Sequence, residues 1–173
     1  SAFADLTPDQ VWSDWRDYME NLGYQVTADE TTNGADLVVE NISFGFEMPS
    51  DGGTVGMEIG TLSFLQNNDG SVEIVMPAET PLVANGIVDH ATGHTMSFAM
   101  TMQQTDHSMI ASGNPDDITY DYSAANVAMI MDDMKSQGSD MPDDIKMNVS
   151  MADVIMSTRM TVGDLRGYLQ SGE

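Results

Sequence analysis

The chain has 173 residues and sets 28 Asp and Glu against five Lys and Arg, for a formal charge of -23. A charge of that sign and size repels phosphate backbones and anionic head groups, which excludes nucleic acid as a partner. With no cysteine there is no disulfide or thiol chemistry, and the length suffices for one domain to bury a core without a covalent or metal staple.

The longest apolar run, Val127 to Met131, falls far short of the roughly 18 to 20 residues of a membrane-spanning helix, so no transmembrane segment is expected. The acidic excess suits salty surroundings, where counterions screen self-repulsion, and marks the chain as salt-adapted. Ala2 and Ala4, in an A-x-A arrangement before Asp5, resemble the end of a secretory signal. Residues 1–5 are accordingly read as a cleavage remnant, and the protein as periplasmic or extracellular.

A helix is expected over 6–22. Thr7 serves as N-cap, Pro8 fills the first helical position where its missing N–H costs nothing, and Gln10 closes a capping box. Val11, Trp12, Trp15, Tyr18, Met19 and Leu22 form one apolar stripe, and Gly23 stops the helix.

From residue 24 to 160 the hydrophobic period is two, with turn residues at hairpin intervals, which predicts an antiparallel meander. The first hairpin turns at Thr32-Asn33-Gly34, and its second strand carries Val38, Ile42, Phe44, Phe46 and Met48 on one face, interrupted by Glu40. In the next, Asn68-Asp69-Gly70 reads as a three-residue loop that pairs Gln66 with Val72, Phe64 with Ile74 and Leu62 with Met76. The apolar phase changes between Ile59 and Leu62, placing a bulge at Gly60 and predicting a bent sheet.

"HATGHTMSFAMTMQQTDHSM", residues 90–109, holds all three histidines. Read with the same loop at Ala91-Thr92-Gly93, it makes His90 and His94 the closing pair and sets Val88 against Met96, Gly86 against Phe98, Ala84 against Met100 and Leu82 against Met102. A further turn at Thr105-Asp106 pairs Met102 with Met109. The face so formed carries His94, Met96, Phe98, Met100, Met102, His107 and Met109. His94 and His107 stand about 33 Å apart at about 3.3 Å per residue, too far to share a metal. His90 and His94 alone fall short of the four ligands of a structural zinc or the converging sulfurs of Cu(I), so a metal carrier is only a remote alternative.

The acidic pairs Asp116-Asp117 and Asp143-Asp144 occur in Pro-Asp-Asp turns, and Asp132-Asp133 follows an apolar run. Turn chemistry accounts for the first two without catalysis, while a weak calcium site among the acidic turns stays open. No nucleophile elbow, phosphate loop or zinc-protease motif is present, so neither enzymatic activity nor a cofactor is expected. Ile118, Tyr120 and Tyr122, then Val127, Met129 and Met131, then Ile145, Met147, Val149 and Met151 continue the alternation across a polar turn at Ser136 to Asp140. "TVGDLRGYLQSGE" reads as a short helix or a further element.

"DLTPDQVWSDWRDYM", "GTLSFLQNNDGSVEIVMP" and "SGNPDDITYDYSA" resemble a family of uncharacterised exported alphaproteobacterial proteins, domain of unknown function number 2125. That likeness implies export and carries no activity or site residue. Its members are longer, which would make this chain an N-terminal portion or a short member. An initial helix before a long meander also resembles periplasmic lipid-transfer grooves, at the level of fold only.

The sequence therefore predicts one mainly β domain over 1–173: an antiparallel meander forming a curved sheet or open barrel, with the helix packed on it. Methionine, twice as frequent as leucine, suits an apolar surface that must adapt its shape. The expected function is a non-enzymatic exported binding protein for a lipid or hydrophobic ligand. Its candidate face is formed by Trp12, Trp15, Phe44, Phe64, Met96, Phe98, Met100, Met102 and Met109. The competing expectation is a structural or assembly component that contacts copies of itself or another envelope protein.

Overall fold

The computed structural model describes residues 5–47, 54–89, 93–137, 147–161 and 167–172. Helix α1 spans Pro8–Asn21 behind a closed capping box: Thr7 N donates to Gln10 Oε1 at 3.0 Å and Gln10 N to Thr7 Oγ1 at 3.4 Å. It is shorter than the expected 6–22, because Leu6 precedes the cap and joins the core, its N–H donating to Gly70 O at 3.2 Å. Gly23, at φ +92°, takes the left-handed conformation that ends the helix.

The strands are β1 (Gln25–Asn33), β2 (Asp36–Glu47), β3 (Thr54–Gln66), β4 (Val72–Val75), β5 (Glu79–Asp89), β6 (His94–Thr105), β7 (Ser108–Asn114), β8 (Asp117–Gln137), β9 (Asn148–Thr161) and β10 (Gly167–Gly172). All pair antiparallel in one sheet. Strands β4 and β5 lie end to end between β3 and the β6–β7 run, and β6 and β7 lie end to end along β8. The result is an up-and-down meander. Because two runs are broken, the pairings β3–β4–β7–β8–β6–β5 return to β3 and close a ring around the breaks. The fold is mainly β, with one short helix on the sheet, as the sequence predicts.

The turn at 67–71 has the expected register: Gln66 faces Val72 and Phe64 faces Ile74, with Gly70 at φ +83°. The first hairpin turns farther along the chain than expected: Thr32 and Asn33 belong to β1, and Asn33 faces Asp36 around Gly34-Ala35. The β5–β6 register also differs from the expectation. Asp89 faces His94, Val88 faces Thr95, and a bulge between Ala84 and Ile87 then sets Ala84 against Phe98 and Leu82 against Met100. The loop is thus one residue longer than predicted, and the bulge adds a second residue of slip. His90, its expected partner role included, lies outside the described residues, as do Met48, Asp143-Asp144 and Ile145. Strand β8 runs on to Gln137, beyond the start of the expected polar turn, and residues 167–172 form a strand where a short helix was one of two readings.

Thr105-Asp106 is not a hairpin turn. Thr105 faces Asn126 and Ser108 faces Ser123, so β7 continues along β8 in the register of β6, and Met102 faces Met129 rather than Met109. Asp106, at φ +48°, bends the run without reversing it. Two further non-glycine residues have left-handed backbone, Asn41 at φ +52° and Asp153 at φ +51°, and short polar side chains tolerate that region best. By register, Asn41 stands opposite Gly60, and both Asp106 and Asp153 stand at Ala125. The β4–β5 break at Met76–Ala78 lies between them, where Pro77 lacks a ladder donor.

These positions form a crease across the sheet. There the inward-facing residues change parity: Leu37 and Val39 give way to Ile42 and Phe44, and Phe64 and Leu62 to Ile59 and Met57. This replaces the expected single face from Val38 to Phe46. The phase change at Gly60 is real, yet β3 does not slip against β2; the extra residue lies in β2 against β1. Carbonyls freed at the break find new donors: Gln104 N donates to Ala78 O at 2.9 Å, Gln104 Nε2 to Pro77 O at 2.9 Å, and His107 Nε2 lies 3.0 Å from Met76 O.

The core lies between α1 and the sheet. Trp12 and Phe64, each under 3% exposed, pack their rings 6.0 Å apart among Leu6, Val11, Leu37, Leu62 and Ile74. Burying side chains of this size stabilises the fold by roughly 1.5 to 3 kcal/mol each.

Candidate functional site

Three apolar cavities adjoin one another on the helix-bearing face of the sheet. The first, about 410 Å³, lies beside α1 and is lined by Trp15, Tyr18, Met19, Phe44, Met57, Ile59, Met109, Tyr120, Thr158 and Met160. The second, about 250 Å³, shares Met19, Phe44 and Met57 with it and extends to Leu82, Phe98 and Met100. The third, about 300 Å³, shares Trp15, Met109, Tyr120 and Thr158 with the first and extends to Met76, Met102, Tyr122, Val127 and Met151. Shared walls make them one branched groove, within the size range of small-molecule sites.

The groove follows from the crease and from the placement of α1. The helix lies over β1, β2 and β3 and leaves the face of β5, β6 and β8 open, where Leu82, Met100 and Met131 stand in one cross-strand row. Trp15 presents its ring to Phe64 at 5.8 Å and to Tyr120 at 6.0 Å, standing between core and groove. The apolar face continues onto β9 and the residue before it, where Met147, Val149 and Met151 are 50%, 51% and 54% exposed.

Of the residues the sequence nominated, Trp15, Phe44, Phe98, Met100, Met102 and Met109 line the groove. Trp12 and Phe64 are closed off in the core, and Met96 is half-buried farther along β6 without lining these cavities. Sequence reasoning missed Tyr18, Met57, Tyr120, Thr158 and Met160 as a wall. Tyr18 was visible in the helical stripe and Tyr120 in the alternation, but only the register brings β3, β8 and β9 to one place.

Two tyrosine hydroxyls around the groove are engaged with polar side chains. Tyr122 OH donates to Gln104 Oε1 at 2.7 Å, and burial raises the pKa of this phenol. Tyr120 OH donates to the buried Asp14 carboxylate at 3.0 Å. On the outer side of α1, Trp12 Nε1 at 2.6 Å and Arg16 at 2.9 Å both donate to Glu30, tying the helix to β1.

The acidic turns have structural partners. Asp69 accepts from Ser71 Oγ at 2.6 Å and Ser71 N at 3.0 Å, bonds that hold its pKa below the ordinary value. Asp116 N donates to Asn114 Oδ1 at 3.0 Å, and Asp117 takes both arms of Arg159. Among the described residues no group of three or more His, Asp or Glu could hold a metal ion, and no helix is long and apolar enough to cross a membrane.

Comparison with profiles of known families, with curated proteins and with solved structures finds no match.

Proposed function

We propose that this protein is an exported, non-enzymatic binding protein that holds a lipid or another hydrophobic molecule in the groove between α1 and the creased sheet. The observation that carries this reading is the continuity of three apolar cavities with no charged side chain among the described residues of their walls. A groove of this kind rewards an apolar ligand by removing its surface and the groove's own from water, at roughly 25 cal/mol per Å². Methionines and aromatics supply an adaptable wall, suited to chains that differ in shape. Export is what the resemblance to an exported family implies.

Native mass spectrometry of the purified protein, followed by organic extraction, tests the proposal. Copurifying apolar molecules at one per chain would support it, and protein that is bare and takes up no added lipid would refute it.

The exposed row Met147, Val149 and Met151 favours a second reading, in which β9 is covered by a copy of the chain or an envelope protein and the fold serves assembly. A defined multimer in the same spectra, with no bound small molecule, would select that reading.

A further inference from the structure

We infer that the groove selects an uncharged ligand and rejects anionic amphiphiles such as fatty acids; this rests on the groove being a hydrophobic-ligand site. Head-group chemistry is set by what a groove offers at its walls and mouth. Among the described residues the walls carry no Lys, Arg or His. Each described Lys and Arg already has a carboxylate: Arg16 with Glu30 at 2.9 Å, Lys135 with Asp133 at 2.8 Å and Arg159 with Asp117 at 2.6 Å.

Two hydroxyls of the wall are engaged as well. The hydroxyls of Tyr120 and Tyr122 donate to Asp14 and Gln104, and among the described residues no buried side-chain nitrogen or oxygen lacks a hydrogen-bond partner. A carboxylate or phosphate entering the groove would give up its water without gaining a cationic partner, a cost that grows steeply with charge. The whole chain adds to this discrimination, because a net charge of -23 places the groove in a negative potential that lowers the local concentration of anions. A hydroxyl or an ester gives up little on entry and feels no net field. Chain length and shape then decide affinity.

Displacement of the neutral fluorophore phenylnaphthylamine from the full chain by oleyl alcohol, oleate and oleylamine separates the cases, because the three share one hydrocarbon chain and carry neutral, anionic and cationic head groups. The alcohol is expected to compete at least about tenfold better than oleate at low salt, with the gap narrowing as salt screens the field. Oleate equal to or better than the alcohol would overturn the inference while leaving the hydrophobic site intact. Oleylamine more than tenfold better than the alcohol would also overturn it, by making a cationic head group the preferred class. Failure of the fluorophore and of all three ligands to bind would refute the groove reading itself.

Discussion

The Tyr120 hydroxyl donates to the Asp14 carboxylate across 3.0 Å, joining strand β8 to helix α1 over 106 residues of sequence. Both groups are buried, Tyr120 at 4% exposure and Asp14 at 7%, so the bond forms where water is scarce. Tyr120→Phe keeps the ring that walls the groove and removes only the donor. We expect it to destabilise the fold by about 1 to 3 kcal/mol, the cost of leaving a buried acceptor without its donor. A lower urea midpoint with an unchanged slope is the signature to look for; an unchanged midpoint would show that the bond does not anchor the helix.

Backbone conformation offers a graded test at two glycines. Gly34, at φ +68°, has open space where a Cβ would stand, so Gly34→Ala is expected to cost only the left-handed penalty of about 1 to 2 kcal/mol. Gly113, at φ +113°, would drive its Cβ into the Asp117 carbonyl of the neighbouring strand. Gly113→Ala should therefore lower thermal stability distinctly more than Gly34→Ala, and equal losses would mean the β7–β8 turn relaxes easily.

The charge balance predicts a salt dependence. At -23 the folded chain repels itself, and raising salt from about 0.01 to 1 M shortens the screening length from about 30 to 3 Å. The melting temperature should rise over that range, by about 3 °C for each kcal/mol of repulsion removed at this chain length. A flat or falling profile would remove the argument for salt adaptation.

Asp117 should titrate below the ordinary aspartate value of about 3.9. Two bonds from the Arg159 guanidinium, at 2.7 and 2.6 Å, favour its charged form and raise the arginine in turn. A folded-state value below the unfolded one means that the pair contributes stability above the unfolded value. That contribution is lost as pH falls through the lower, folded one. NMR titration of Asp117 should show this displacement, and Arg159→Gln should abolish it.

Local features were the ones legible in the sequence. The capping box at Thr7 and Gln10, the Gly70 turn and the Pro115-Asp116 turn are each specified by residues close together in the chain. The β5–β6 register departs from the expectation by one residue at the loop and by another at the bulge between Ala84 and Ile87, which lies away from the turn that sets the count. Asp106 reads as a turn residue in the sequence because the same short side chain suits both a reversal and a left-handed bend within a strand. The parity switches were visible one at a time, at Gly60 and between Tyr122 and Val127. That they align with Asn41, Asp106 and Asp153 in one crease emerges only when the strands are set side by side. The groove inherits this limit: its methionines and aromatics were nominated as apolar, while Thr158 carried no signal until β9 was placed beside β8.

Thr158 supplies the most direct test of the groove. It is half-buried and lines both the cavity beside α1 and its extension toward Met102. In Thr158→Trp the indole would fill their junction without displacing a core residue. Titration of phenylnaphthylamine into wild type and variant is the deciding measurement. The account predicts one bound fluorophore per wild-type chain and affinity at least about tenfold weaker in the variant, with the unfolding midpoint unchanged. Equal binding by both, or none by the wild type, would contradict it.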